Sequence, residues 1–185
     1  LGVSVKVFDN SLFKLRRLQN EIGQKVFTSV IQPKVLEKAL MSCDVAIGAL
    51  SAPQGRTPCI VSEDVVKKMK SGSVIIDVSI DKGGCFETSK ITTHQKPTFT
   101  KHDIIHYCVP NIGSRVSRTA SFSLSNIFSP LLIEISESGG CEKLIQFSKG
   151  FRHGVYIYNG TLTSSILGKA FNIPYKNLDL LISAL

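Results

Sequence analysis

The sequence lacks the features of a membrane-anchored or secreted chain. It contains no run of 18 or more apolar residues, so no transmembrane helix is expected and no membrane partner is predicted. The first residues, 1–6, lack a basic segment followed by an apolar run, which excludes a signal peptide there. The chain also does not begin with methionine, and we expect it to be a processed or truncated piece.

Paired cysteines are absent as well. The five cysteines lie at positions 43, 59, 85, 108 and 141, and no two are spaced as Cys-x-x-Cys. A disulfide framework or a zinc site would need pairs. We therefore predict reduced thiols, no metal site and a cytoplasmic protein.

Long basic blocks are the third absence. Lys and Arg number 22 against 14 Asp and Glu, giving a net charge of +8. That balance alone would suit a polyanion partner. However, no basic block exceeds two adjacent residues, and the pairs Arg16-Arg17 and Lys67-Lys68 lie on the expected polar faces of helices. The pattern favours solvated helix faces and no nucleic-acid partner.

What is present is an alternation of strand and helix over the first two thirds of the chain. The residue patterns predict strands at 3–8, 25–30, 44–50, 74–80 and 104–109, and helices at 12–21, 34–41 and 63–70 with Ser11 and Ser62 as caps. The nearly continuous apolar strand 74–80 is typical of the centre of a parallel sheet. The fold class is therefore α/β with a doubly wound parallel sheet, in which ligands bind at the carboxyl ends of the strands.

The remaining third changes character. Residues 112–117 form a predicted polar linker, and helices are expected at 119–137, 141–149, 161–171 and 178–185. Pro130 falls inside the first of these helices. We place a domain boundary near 117, with the sheet domain at 1–117 and an all-helical tail at 118–185.

Three carboxylates follow two of the predicted strands or lie within them. Asp9 ends the first strand. In a dinucleotide-binding sheet, a carboxylate at such a position accepts hydrogen bonds from the ribose hydroxyls and repels a 2′-phosphate. The alternative is a solvent-exposed aspartate in a turn. Asp81 precedes two glycines at the mouth of the sheet and is either an active-site carboxylate or a turn residue. Asp77 is expected to be a buried carboxylate that binds a loop. Cys85 is either a nucleophile or, more in keeping with its surroundings, a packed thiol.

Three segments resemble the signature of NAD-dependent alanine dehydrogenases. They are 77–89 (DVSIDKGGCFETS), 92–94 (TTH) and 106–111 (HYCVPN), the last leading to Arg118-Thr119, and the resemblance extends from Val3 to Tyr175. It implies a Rossmann-type domain that binds NAD, reversible oxidation of L-alanine to pyruvate and ammonium, and a homo-oligomer, a hexamer. The alternatives are the NAD-binding domain of a proton-translocating transhydrogenase alpha subunit and a non-catalytic NAD-binding regulatory domain.

The resemblance also assigns roles to residues. Asp81 matches the catalytic aspartate beside the nicotinamide, and Lys90 stands where the family has an arginine at the cofactor. Ile31 stands where the family often has a serine near the adenine. We expect the neighbouring Gln32 to replace that contact. The implied cofactor-binding residues are Asp9, Lys14, Ile31, Leu50, Ser51, Val78, Ser79, Ile80, Asp81, Lys90, Val109, Pro110, Asn111 and Ile112.

The family pattern has parts that these 185 residues do not contain. It needs a first strand and a Gly-x-Gly-x-x-Gly turn that holds the pyrophosphate, and the motif occurs nowhere here. It also needs a preceding substrate domain with a catalytic histidine and lysine. The resemblance thus implies the C-terminal half of such an enzyme: a Rossmann domain without its first strand, and a helical segment returning to the substrate domain. We expect the isolated chain to be inactive.

Overall fold

The computed structural model describes residues 2–23, 25–51 and 55–183. They form two compact units, Leu1–Ile112 and Gly113–Leu185. The first unit alternates strands with helices and the second is largely helical, so the α/β class predicted from the sequence is confirmed. The predicted loop residues 52–54 and the end of the last predicted helix, 184–185, lie outside the described residues.

The first unit contains six strands and three α-helices among its described residues. In chain order they are β1 (Lys6–Phe8), α1 (Leu12–Ile22), β2 (Phe27–Ser29), α2 (Pro33–Ser42), β3 (Val45–Gly48), α3 (Glu63–Val66), β4 (Val74–Asp77), β5 (Thr98–Lys101) and β6 (Ile104–Tyr107), with a 3-10 helix at Val78–Lys82 after β4.

The strands form two separate sheets. β1 pairs with β2 in parallel, and β3, β4, β6 and β5 form a four-stranded sheet in that order. Its first three strands are parallel, while β5 runs antiparallel on the edge beside β6. Within the described residues, β1 and β3 each hydrogen-bond to one strand only, and the edge strand β3 exposes Val45 by 50% and Ile47 by 65%. The outer edge of β3 therefore has no strand partner among the described residues, and one face of this strand carries exposed apolar side chains.

The core of this unit lies between the four-stranded sheet and helices α2 and α3. Ile75 of β4, Ile104 of β6 and Val66 of α3 are fully buried and pack in one cluster with Leu40 of α2. Burying a side chain of this size contributes about 1.5–3 kcal/mol to folding. The core thus fixes β4 and β6, the strands whose carboxyl ends carry the residues considered below.

The helix ends follow the expected local rules in α1 and differ in α3. The Ser11 side chain accepts the Lys14 N–H and caps α1, and Gly23 ends it at φ 64°. The helix predicted at 63–70 is wrong beyond Val66, because the chain continues in i→i−3 bonds such as Met69 N–H to the Val66 carbonyl. Ser62 makes no side-chain cap bond; the Glu87 carboxylate accepts the Glu63 N–H instead, at 2.7 Å.

The predicted strand 74–80 also ends early. β4 stops at Asp77, whose carboxylate accepts the Ser79 N–H and starts the 3-10 helix. The sequence patterns do not predict β5, a four-residue edge strand that is held by pairing with β6 and by stacking of Phe99 on His106 at 4.7 Å. Pairing with β6, rather than local propensity, therefore fixes β5, whereas a local side-chain cap at Asp77 ends β4.

The second unit is not entirely helical, contrary to the prediction. A 3-10 helix at Ile112–Val116 replaces the predicted linker, and α4 (Ser117–Glu137), which contains Pro130, follows. The other elements are α5 (Cys141–Phe147), α6 (Lys149–Arg152), β7 (Ile157–Tyr158), β8 (Thr161–Leu162), α7 (Ser165–Phe171) and α8 (Leu178–Ser183). The helix predicted at 161–171 starts only at Ser165, because 161–162 pairs antiparallel with 157–158. The helix predicted at 141–149 breaks at Ser148, whose side chain caps α6.

The described part of the chain has neither a membrane-spanning helix nor a cluster of metal-ligand residues. None of its helices combines the length and apolarity needed to cross a bilayer. No group of three His, Cys, Asp or Glu in that part is arranged to hold a metal ion.

Candidate functional site

Two hydrogen-bond links join the loops that follow β3, β4 and β6. The Ser79 hydroxyl, in the loop after β4, donates to the carbonyl oxygen of Leu50 after β3, at 3.0 Å. The Asp81 carboxylate accepts the backbone N–H of Asn111 after β6, at 2.9 and 3.2 Å to its two oxygens. Because these strands are parallel neighbours, all three loops lie at the carboxyl edge of the sheet, where ligands of doubly wound folds bind.

Asp81 and Asn111 present polar groups to solvent at this edge. Both residues are exposed, and Asn111 adopts φ 53°, a left-handed conformation that asparagine tolerates better than most residues. A carboxylate has about four lone-pair directions, so the single N–H of Asn111 leaves acceptor capacity on Asp81. The pair therefore places a negative charge and an acceptor where a ligand can reach them.

Asp77 organises the turn that carries Asp81. It is 1% exposed. Its Oδ1 accepts the Ser79 N–H at 3.0 Å, and its Oδ2 accepts the Cys85 N–H at 2.9 Å, the Phe86 N–H at 3.4 Å and the Ser89 hydroxyl at 2.7 Å. The predicted buried, loop-binding carboxylate is confirmed.

Gly84 lies against the same carboxylate. Its φ is 77°, and a Cβ at this position would lie 2.7 Å from Oδ2 of Asp77. Glycine is thus required for two reasons, backbone conformation and space. Gly84, the second glycine of the Asp-Lys-Gly-Gly motif, is therefore needed to form the turn.

Cys85 is a packed thiol. It is 1% exposed, and its Sγ lies 3.8 Å from Oδ1 of Asp77. Burial, together with the Asp77 charge, raises the pKa of Cys85 to about 12. Since the thiolate is the nucleophile, this residue is unreactive at neutral pH, which supports the packing interpretation of the two that the sequence left open.

The loop after β3 makes a further contact that the sequence does not signal. The Thr57 N–H donates to the Lys82 carbonyl at 2.8 Å, and the Arg56 guanidinium lies over Gly83, whose added Cβ would be 2.9 Å from Nε. Neither contact follows from a spacing or motif, because the two segments are 25 residues apart. The contacts join the loop after β3 to the turn of Asp81.

Three of the predicted cofactor residues lie on the segments that follow β1 and β2. Asp9 follows β1 directly, and its Oδ1 accepts the Ser11 N–H at 2.7 Å. Lys14 is exposed in the first turn of α1, and Ile31 is half-buried between β2 and α2. Within the part of the chain that the structure describes, no hydrogen bond joins these residues to Asp81 or Asn111.

The other predicted residues lie on the loops of the four-stranded sheet. Ser51 and Lys90 are exposed, Val78 and Pro110 are half-buried, and Ile80 and Val109 are buried. Ile112 starts the 3-10 helix that follows. Hydrogen bonds thus bring together Leu50, Ser79, Asp81 and Asn111, and the remaining residues flank them in sequence.

The chain is similar in sequence to alanine dehydrogenases. It is 35% identical over 177 residues to the alanine dehydrogenase of Mycolicibacterium smegmatis. The aligned segment covers 96% of this chain and 47% of the relative. It is 36% identical over 180 residues to alanine dehydrogenase 2 of Staphylococcus aureus. Here the aligned segment covers 97% of this chain and 48% of the relative. The chain therefore spans about half the length of the curated relatives it matches.

The chain is also similar to parts of two solved structures. A structure titled L-alanine dehydrogenase matches with a TM-score of 0.82 and 30% identity over 92% of this chain and 47% of that one. A transhydrogenase from Sinorhizobium meliloti matches with a TM-score of 0.65 over 89% of this chain and 43% of that one. At 16% identity the second likeness shows the fold alone.

The family model described as alanine dehydrogenase/PNT, C-terminal domain, matches residues 1–165. With more than half of the chain matched, this protein belongs to the alanine dehydrogenase/PNT C-terminal domain family.

Proposed function

We propose that this chain is the NAD-binding half of an alanine dehydrogenase. The reaction converts L-alanine, NAD⁺ and water into pyruvate, ammonium, NADH and a proton, and it is reversible. The observation that carries the proposal is the Asp81 carboxylate, held on the Asn111 N–H at the carboxyl edge of a parallel sheet in a member of this family.

Asp9 fits the adenosine end of the cofactor. It ends β1, and among the described residues only its Oδ1 accepts a hydrogen bond, from Ser11. The other oxygen has capacity for ribose hydroxyls, and the negative charge opposes a 2′-phosphate. Asp9 therefore favours NAD over NADP. Lys14, in the adjacent first turn of α1, would flank the same group.

The loops after β4 and β6 fit the nicotinamide end. NAD, when bound, supplies the hydride acceptor. Val78, Ser79 and Ile80 would line the nicotinamide ribose, and residues 109–112 would flank the ring. The Asp81 carboxylate would stabilise the positive charge that develops on the alanine nitrogen when the α-carbon gives up a hydride. Proton transfer and binding of the alanine carboxylate are assigned to residues of the other half of the protein.

The apolar surfaces of this chain support contact with that other half. The outer edge of β3 has no strand partner among the described residues, and we propose that a further strand pairs there. Val45 and Ile47 are exposed on one face of the same strand. Helix α4 has no buried residue, and it exposes Phe122, Ile127 and Leu132 by more than 60% each. We propose that the helical segment 118–185 returns to the substrate domain and that the assembled protein is a homo-oligomer, a hexamer. The five free cysteines support a reducing compartment, the cytoplasm.

The test is a turnover assay of the complete protein that contains these residues. We expect NADH to form when L-alanine and NAD⁺ are supplied together, with pyruvate and ammonium in equal amounts. The control is the same assay with NAD⁺ and no amino acid, in a buffer that contains no glycine. NADH binding without any turnover would instead identify a regulatory domain, and hydride transfer between NADH and an NADP analogue would identify a transhydrogenase; either result contradicts the proposal.

A further inference from the structure

We propose that Asp77 is a positioning residue for Asp81. Its buried carboxylate fixes the turn 78–86, so that the Asp81 carboxylate stays on the Asn111 N–H at the carboxyl edge. The inference rests on the proposed function, because it assigns a part in the same reaction to a residue that touches neither substrate nor cofactor. At 1% exposure, Asp77 has no surface for a ligand.

Asp77 holds both ends of the turn. Ser79, at its start, donates to Oδ1, and Cys85 and Phe86, at its end, donate to Oδ2. Between them, the Gly83 N–H bonds to the Ile80 carbonyl and the Gly84 N–H to the Ser79 carbonyl. Asp81 is therefore carried on a closed loop whose two ends meet at a single carboxylate.

The charge of Asp77 is balanced by dipoles. Among the described residues no Lys, Arg or His forms an ion pair with it, and its oxygens accept from three N–H groups, the Ser89 hydroxyl and the Cys85 thiol. Burying an ionised carboxylate is costly unless it is hydrogen-bonded in this way. Asparagine would keep one acceptor oxygen and turn an NH₂ group toward a donor, so either the start or the end of the turn would lose its attachment.

The same network reaches the loop after β3. Ser79 gives its N–H to Asp77 and its hydroxyl to the Leu50 carbonyl. A Cβ on Gly48 would overlap the Cys85 sulfur and lie 3.3 Å from Oδ1 of Asp77, so Cys85 and the carboxylate pack directly against the backbone of β3. Displacement of the carboxylate therefore moves the turn as a whole.

The test compares three single variants in the complete protein. Asp77→Asn breaks the network, Ser89→Ala removes one donor to Oδ2, and Ser62→Ala, whose side chain makes no cap bond, is the matched control. Since misplacement of a reacting group by about 1 Å costs on the order of 100-fold in rate, we expect kcat to fall about 10- to 100-fold in Asp77→Asn. We expect a fall of about 3- to 10-fold in Ser89→Ala, none in Ser62→Ala, and the dissociation constant of NADH to stay within about 3-fold.

The deciding measurement repeats these changes in an Asp81→Asn background. If Asp77 acts through Asp81, neither Asp77→Asn nor Ser89→Ala lowers kcat further, because residues that act as a unit are not additive. A further, multiplicative fall in kcat would show a general structural role and overturn the proposal. Should Asp77→Asn fail to fold, the Ser89→Ala pair decides the question in the same way.

A second readout does not need turnover. The Asn111 amide donates to Asp81, and we expect its hydrogen exchange to become about 10-fold faster in Asp77→Asn and to be unchanged in Ser62→Ala. Faster exchange in a protein that does not oxidise alanine would contradict the proposed function and retain the positioning role. Normal exchange and normal kcat in Asp77→Asn would overturn the positioning role and leave the proposed function standing.

Discussion

The Thr88 hydroxyl lies 2.8 Å from Nε2 of His106, and both side chains are buried. The other ring nitrogen of His106, Nδ1, lies 3.0 Å from the Ile104 carbonyl oxygen. Because a carbonyl can only accept, Nδ1 carries the proton and donates, while Nε2 accepts from Thr88. The neutral imidazole is thus fully satisfied, which explains why a histidine occupies a central strand beneath Phe99.

A pH dependence of stability follows from this pair. Burial lowers the pKa of His106 below its ordinary value of 6.5. Below that value the unfolded chain binds a proton that the folded chain does not, so the free energy of unfolding should decrease as the pH falls from 6.5. Urea unfolding between pH 8 and pH 5, roughly the range over which histidine titrates, checks this.

A variant separates this histidine from other titrating groups. His106→Gln should lower the free energy of unfolding by about 1–3 kcal/mol at pH 8, because a buried partner is lost. It should also have a shallower decline toward acid. If the free energy of unfolding declines equally steeply with falling pH in the variant and in the wild-type protein, the acid sensitivity comes from the carboxylates and not from His106.

Gly84 is expected to be intolerant of any side chain. Gly84→Ala forces an alanine to φ 77° and pushes its Cβ against Oδ2 of Asp77. A left-handed residue costs about 1–2 kcal/mol before the overlap is counted, so we expect a loss of at least about 2 kcal/mol in stability. Gly150→Ala is the matched control, since no described atom lies within 4 Å of an added Cβ there. It should be neutral or slightly stabilising by chemical denaturation, and an equal loss in both variants would contradict the account.

Asp81→Asn in the complete protein should abolish most turnover and leave the fold intact. The amide oxygen can still accept the Asn111 N–H, whereas the negative charge is gone. Loss of a charge-stabilising group costs about 10²–10³ in kcat. The measurement is steady-state oxidation of L-alanine, with circular dichroism as the folding control. A kcat within a factor of about two of wild type would remove Asp81 from the catalytic machinery.

Asp9→Ala should shift cofactor preference from NAD toward NADP. The carboxylate that accepts from ribose hydroxyls and opposes a 2′-phosphate is then absent. The comparison is kcat/KM with each cofactor in the complete protein. Ser11→Ala is the control, because it removes the cap of α1 without changing the charge. If the NAD:NADP ratio stays constant in Asp9→Ala, Asp9 serves only the turn that leads to Ser11.

The strands and the buried carboxylate could be predicted because their signals are local. The apolar run predicts a strand at 74–80 with Asp77 buried within it; the strand and the buried carboxylate are present, although the strand ends at Asp77 and a 3-10 helix follows. The hairpin β7–β8 was missed although its turn, Asn159-Gly160 with both φ angles positive, is a local hairpin signal. The cap of α3 could not be predicted, since such a cap can come from a distant segment. One example is the Glu87 carboxylate, which is 24 residues away from the helix that it caps.

The candidate site was less predictable than the fold. Asp81 is marked by its position after a strand and before two glycines, but its partner is a backbone N–H, and every residue except proline has one. The position of Arg56 over Gly83 likewise has no sequence signal. Parallel-sheet topology places the loops at one edge, while the links between them appear only in three dimensions.

The last prediction concerns these 185 residues on their own: they should bind NADH weakly and not oxidise alanine. β3 and β1 each lack a second strand partner among the described residues, so the sheet is in two pieces. Asp9 lies on one piece and Asp81 on the other, and no glycine-rich turn is present to hold the pyrophosphate at a helix N-terminus. Titration calorimetry with NADH and an alanine oxidation assay test the prediction, with the complete protein measured in parallel. Tight NADH binding by the chain alone, with a dissociation constant on the order of 1 μM and measurable turnover, would show that these residues form a complete site. In that case the assignment of proton transfer and substrate binding to the other half would be wrong.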